Sequence, residues 1–276
     1  MGVQAMRFDS NRAWQEATKL VSANRDVLWA LAGVFLVLPS FAVGILVPPP
    51  EPPAGADTDT MIATLSVYYN GAWPWLLGMA VCQVIGTLAM LALFTDRTRP
   101  TVAEALKLAL RGALPVIAAQ LLAGMGFAAA AMIPITLAAL TGSQALATVV
   151  VAACIVALVF VMVRISLVAP VVMVDGESNP VAALKRSWGL TRGNAARLLL
   201  FYALLLIGFG IVILLVGGLA DLALRLLLGM ELGTALGTLV SAALQAVMAI
   251  FFMAVYAATH RQLARPDSTA AAIPIE

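Results

Sequence analysis

The sequence predicts an all-α, polytopic membrane protein with six transmembrane helices. Three observations predict it: a composition too apolar for a domain that folds in water, six apolar runs each long enough to cross a bilayer, and a one-sided distribution of lysine and arginine. Of the 276 residues, 62% are hydrophobic and only 11% charged. A soluble domain is roughly half apolar and a quarter charged. Lipid accepts the excess apolar surface, provided that the backbone satisfies its own hydrogen bonds in helices. Net charge is only +2, so bulk charge does not suggest nucleic acid; the expected partners are membrane lipids, with other membrane proteins or further copies of the chain also open.

About 20 apolar residues span a bilayer core as a helix. Six stretches qualify: Val27 to Val47, Ala72 to Phe94, Ala113 to Ala138, Ala145 to Val174, Ala196 to Leu219, and Thr234 to Ala258. The third carries Pro115 and Pro134 near its ends, and the fourth has Pro170 inside its own end. Period-two alternation is absent, which argues against a β-barrel.

Orientation follows from the bases. Arg7, Arg12, Lys19 and Arg25 precede the first run; Arg97, Arg99, Lys107 and Arg111 fill the second connection. Lys185, Arg186, Arg192 and Arg197 fill the fourth, and Arg261 and Arg265 follow the last run, so 14 of the 16 bases lie in these segments. The loop from Pro48 to Gly71 has Glu51, Asp57 and Asp59 but no base, and the fifth connection has only Arg225. The expectation is a bacterial inner-membrane protein with both termini cytoplasmic. The first run exceeds a signal peptide's 7–15 apolar residues, so it is expected to stay in place as a span.

The three basic segments resemble one another, each reading as a short interfacial helix followed by a membrane hairpin. Ser10, Thr101 and Asn179 are the helix-start signals, with Thr101 and Glu104 in a capping-box pattern and Pro180 at a first helical position. Asn24, Gly112 and Gly193 are the stop signals, each suited to a left-handed residue at a helix end. Ala105-Leu106-Lys107 echoes Ala183-Leu184-Lys185, Arg111-Gly112 echoes Arg192-Gly193, and Trp14 matches Trp188. The organisation expected is one membrane domain over residues 1–265, with repeats of about 1–95, 96–174 and 175–265, and a disordered tail over 266–276. The short helices are expected flat at headgroup level.

Arg164 is the most informative single residue, because an arginine in a membrane run costs several kcal/mol unless paired or hydrated. It lies 11 residues before Asp175, about 16 Å along a helix. Two roles stay open: bonding free carbonyls, Asp175 or Glu177, or holding an anionic lipid or substrate. Val181, Lys185, Trp188 and Arg192 form one row at helical spacing, which reads as ordinary interfacial anchoring or as a contact for a lipid phosphate. Gly229, Gly233, Gly237 and Ser241 form an i, i+4 row suited to close helix packing, within the chain or between copies. Gln83, Gln120 and Gln245 read as interhelical glue. His260, at the end of the last run, reads as an interfacial polar residue, and Asp175 and Glu177 around Gly176 read as a turn. Cys82 and Cys154 lie inside apolar runs as small hydrophobes, without disulfide or metal-ligand spacing.

The sequence holds no GxSxG, HExxH or GxxxxGK[ST] pattern, so neither catalytic residues nor a metal or cofactor is expected. The stretch from Arg164 to Arg197, RISLVAPVVMVDGESNPVAALKRSWGLTRGNAAR, resembles the membrane domain attached to some bacterial glycerophosphodiester phosphodiesterases and is similar to the related YciC-like inner-membrane proteins. The shared pattern is an arginine, a proline-containing segment, an acid, a glycine turn and a Leu-x-x-Ser-Trp-x-Leu-x-x-Gly helix. It falls on Arg164, Pro170, Asp175, Gly176, Leu184, Ser187, Trp188, Leu190 and Gly193. The resemblance implies a six-helix membrane domain. The catalytic barrel that carries phosphodiesterase activity in that family has no counterpart in this sequence. The role expected is non-catalytic support of membrane organisation or of a membrane assembly; the alternative is a transporter or lipid-handling permease that binds anionic lipid near Arg164.

Overall fold

A computed structural model describes residues 8–50, 55, 57–95 and 101–264. Every regular element among them is helical. Helix α1 covers Ser10–Ala23. Helix α2, Arg25–Ala32, runs through a π turn at Gly33–Val37 into α3, Leu38–Leu46. Then come α4 (Thr58–Thr95), α5 (Val102–Leu140), α6 (Gln144–Ile165), α7 (Val168–Val174) and α8 (Pro180–Leu190). Helix α9, Ala195–Val212, continues through a second π turn at Ile213–Gly217 into α10, Gly218–Leu228, and α11 is Met230–Ala264. Six segments are long and apolar enough to cross a membrane: Arg25–Leu46, Thr58–Phe94, Val102–Leu140, Gln144–Val174, Ala195–Leu228 and Met230–Ala264. This is the make-up of a membrane-embedded protein.

The helices extend well beyond the apolar runs. Residues 58–71, expected in a loop, form the first turns of α4, capped by Asp57, whose Oδ1 accepts the Thr60 N–H at 3.0 Å. The Thr60 hydroxyl and N–H together hold the Asp57 carboxyl below its usual range. Pro115 and Pro134 do not break α5; neighbouring helices and local adjustment let prolines sit inside membrane helices. The connection between the last two spans shrinks to Gly229, whose φ of +84° and ψ of 172° form a conformation reserved for glycine.

The capping signals divide. Thr101 and Glu104 make the full capping box, and Asn179 Oδ1 accepts the N–H groups of Val181 and Ala182. The first helix, however, is capped by Asp9, one residue before Ser10, through the N–H groups of Asn11 and Arg12. Of the three stop signals only Gly193 is left-handed, with φ +83°. Asn24 sits at φ −124° and bonds back to Leu20 O through its side chain. Gly112 is interior to α5, where an added Cβ would come within 2.6 Å of Met173 Sδ; it serves close packing and ends nothing. The middle basic segment therefore runs straight into its span, unlike α1 and α8.

One end of the bundle gathers α1, the start of α5, α7, α8 and the last turns of α4 and α11. It also carries every described base except Arg225, and is called the basic end here. The face of α1 that buries Ala13 and Ala17 packs on α11, where Trp14 stacks on Phe251 with ring centroids 5.6 Å apart. Gln262 and Asp9 exchange two hydrogen bonds, at 3.3 and 3.2 Å. Arg261 Nη1 pairs with Glu16 Oε1 at 3.0 Å while its Nη2 donates to the Phe94 carbonyl at the end of α4. The first and last described helices thus share an end, as an even number of crossings requires.

At the opposite end, α10 and α11 form a tight hairpin. A Cβ added at Gly233 would lie 2.5 Å from Arg225 Cα, and one at Gly237 would strike the Asp221 carboxylate. Ser241 Oγ packs 3.6 Å from the Cβ position of Gly217. The small-residue row therefore joins helices within the chain, except for Gly229, whose work is the turn.

Candidate functional site

The residues of the segment 164–193 converge at the basic end. Helix α6 ends at Ile165, and the chain turns through Ser166 and Leu167 into α7, where Pro170 is buried. Gly176, at φ +71°, reverses the chain toward α8, and Glu177 Oε1 accepts the Asn179 N–H at 3.0 Å. These turns lay α8 against the end of α6. There Ser187, fully buried, donates from Oγ to the Arg164 carbonyl at 2.8 Å. Thr191, also buried, donates to carbonyls of its own helix end, Ser187 O at 3.0 Å and Trp188 O at 3.2 Å.

Arg164 turns its guanidinium onto the same helix end. Nη1 lies 3.3 Å from Trp188 O and 3.5 Å from Thr191 Oγ1. Its Cζ stands 5.1 Å from the Phe160 ring centre and 5.0 Å from that of Trp188. A cation between two rings gains about 0.5–2 kcal/mol from each favourable contact, depending on desolvation, and a cation at a helix C-terminus complements the unsatisfied carbonyls. Nε of Arg164 is buried without a hydrogen-bond partner among the described residues. Arg164 does not reach Asp175. That carboxylate lies between two other groups, Arg186 Nε at 3.2 Å and His260 Nε2 at 3.3 Å. The histidine contact has ion-pair distance but not hydrogen-bond alignment. His260 is only 2% exposed, so it is a buried residue joining α11 to the α7–α8 turn.

Lys185, Trp188 and Arg192 are exposed along one side of this cluster, and only Trp188 touches Arg164. Gln83 does act as glue, donating to Ser40 Oγ at 3.2 Å across α3 and α4. Among the described residues no group of His, Cys, Asp and Glu is arranged to hold a metal ion. Sequence reasoning missed the Arg261–Glu16–Phe94 junction and the burial of His260. The partners in the first stand up to 245 residues apart in the chain, and nothing local signals them.

Over residues 17–263 the chain matches the family described as Domain of unknown function (DUF7847), and it belongs to that family. No curated protein and no solved structure matches it.

Proposed function

We propose that this DUF7847 protein is a non-catalytic multi-pass protein of the bacterial inner membrane that supports membrane organisation or an assembly within the membrane. One observation carries this reading: the conspicuous polar residues of the segment 164–193 spend their hydrogen bonds on each other and on helix ends. Arg164, Ser187 and Thr191 fasten α6 to α8, and Asp175 links Arg186 to His260. Groups arranged this way build a scaffold. The likeness of the same segment to the membrane domain of glycerophosphodiester phosphodiesterases supports a supporting role, since chemistry in that family belongs to a separate barrel.

The basic end is the cytoplasmic end in this reading, on the strength of the 14 bases in its segments. In intact cells, a membrane-impermeant thiol reagent should modify Asp57→Cys and spare Asp267→Cys. Modification of the second would reverse the topology. A second reading, a permease that holds anionic lipid at Arg164, draws on the exposed row of Lys185, Trp188 and Arg192 beside the unpartnered Nε. Purification in native lipids separates the two. The scaffold reading expects Arg164→Leu to lower the melting temperature without loss of a particular lipid. A stable Arg164→Leu protein stripped of one anionic species would establish the second reading instead.

A further inference from the structure

We infer that the protein binds an uncharged acylglycerol with a free hydroxyl, in a cleft bounded by α4, α5, α6, α7 and α11. This goes beyond the scaffold reading: the cleft adjoins the Arg164 segment through Ile165, Ser166 and Leu184, but Arg164 itself does not line it. The cleft has a volume of about 450 Å³, within the range of small-molecule sites. Its lining is apolar except for Thr87, Gln120, Ser166 and Tyr256, and no charged side chain contributes to it. Leu158, Met162 and Gly124 at its edge are exposed, on surfaces of the fourth and third spans that face lipid. Entry is therefore sideways from the bilayer.

Gln120 supplies the argument for a polar occupant. It lies inside the third span, exposed at the open side of the cleft, and has no hydrogen-bond partner among the described residues, unlike Gln83 with its Ser40. An amide left without partners in hydrocarbon costs several kcal/mol. An occupant of the cleft would provide those partners. Two of the three hydroxyls are already directed, that of Tyr256 being the exception: Thr87 donates to Gln83 O at 2.8 Å and Val84 O at 3.0 Å, and Ser166 donates to Val163 O at 2.8 Å. Both thus offer only acceptor lone pairs, whereas Gln120 offers donors and an acceptor. The complement is a molecule with an O–H to donate and a carbonyl to accept. A phosphate or ammonium headgroup would be unpaired in this lining, at a cost of several kcal/mol.

Depth agrees. Gln120 is nine residues beyond Arg111, about 13 Å along the helix, below the level of charged headgroups. A glycerolipid without such a headgroup sits deeper in the leaflet, with its chains following the apolar walls. Gly124 gives the means to close the cleft, because a Cβ added there meets nothing within 4 Å.

The full chain in phosphatidylcholine nanodiscs, doped with a diacylglycerol bearing a diazirine on one acyl chain, tests this directly. Photolabelling should fall on α5 and α6 and be competed by unlabelled diacylglycerol. Gly124→Trp should reduce it about tenfold and Gln120→Leu about fivefold, the worth of roughly one hydrogen bond. Leucine is the better membrane residue, so the Gln120 variant keeps its fold, and unchanged melting temperatures verify both proteins. Gln245→Leu, at another intramembrane glutamine that does not line the cleft, should label as wild type. Equal labelling of all three variants would overturn the proposal. So would equally strong labelling of the same residues by a diazirine phosphatidic acid, because the lining would then accept charge.

Discussion

At the basic end every residue of α4 from Leu88 to Phe94 is buried, and Arg261, Asp175, Arg164 and Asn194 join elements far apart in sequence. Over residues 58–80 of the same helix most positions are exposed. The difference follows from the solvent. Lipid gives apolar helices no hydrophobic reason to associate, so packing must come from close backbone approach and from polar bonds. Near the headgroups, where chains turn and helix ends expose carbonyls, polar bonds are plentiful. At the opposite end the α10–α11 hairpin is tight, and so is the approach of α3 to α11 at Gly44 and Thr238; glycine makes both so.

The largest effect expected from breaking this contrast is at that hairpin. Gly233→Leu places its Cβ against backbone atoms of Leu224 and Arg225, which no rotamer change relieves. A loss of about 3 kcal/mol is expected, measured as thermal unfolding in detergent. Gly237→Leu meets the Asp221 side chain instead, which can swing aside, and about 1–2 kcal/mol is expected. Equal melting temperatures for Gly237→Leu and wild type would show that the hairpin is looser than described.

At the basic end, Ser187→Val leaves the Arg164 carbonyl without its buried donor, at a cost of about 1–3 kcal/mol. Arg164→Lys replaces a planar fork between two rings with a point charge. It should cost about 1–2 kcal/mol, and Arg164→Leu should not restore the loss, because the α8 carbonyls stay short of a donor. Full stability of the leucine variant would mean that the ring-and-carbonyl cage contributes nothing. Smaller and more local, Arg261→Ala frees Glu16 of α1 from α11 and removes the donor at the Phe94 carbonyl of α4. Hydrogen exchange should quicken in α1 and the last turn of α4 while the far-end hairpin stays protected. Uniform quickening would show that the two ends unfold together.

The six spans were legible because the bilayer demands long apolar runs whatever their neighbours. Helix ends were less legible. Beyond the membrane α4 continues with polar residues, and α5 carries prolines that a soluble helix would refuse, so hydropathy misplaces both. Arg111-Gly112 and Arg192-Gly193 look alike in sequence, yet only the second glycine is left-handed. The first is fixed by Met173 of α7, a contact no local pattern shows. Arg164 was visible as an anomaly, and its bond to a free carbonyl was among the roles anticipated, but the Phe160–Trp188 cage depends on how α8 docks. The cleft around Gln120 arises from the meeting of several elements and leaves no mark in any one of them.

The five tryptophans fall into two layers. Trp14, Trp29 and Trp188 belong to the basic end, while Trp73 and Trp75, both more than half exposed, stand next to Tyr68 and Tyr69 on α4. Tryptophan and tyrosine favour the boundary between lipid and water. From Trp75 to Phe94 the unbroken helix rises about 29 Å, close to the roughly 30 Å of a hydrocarbon core. Arg261 ties the end of α4 to α11 and α1, so these helices meet a change in bilayer thickness together and not one by one.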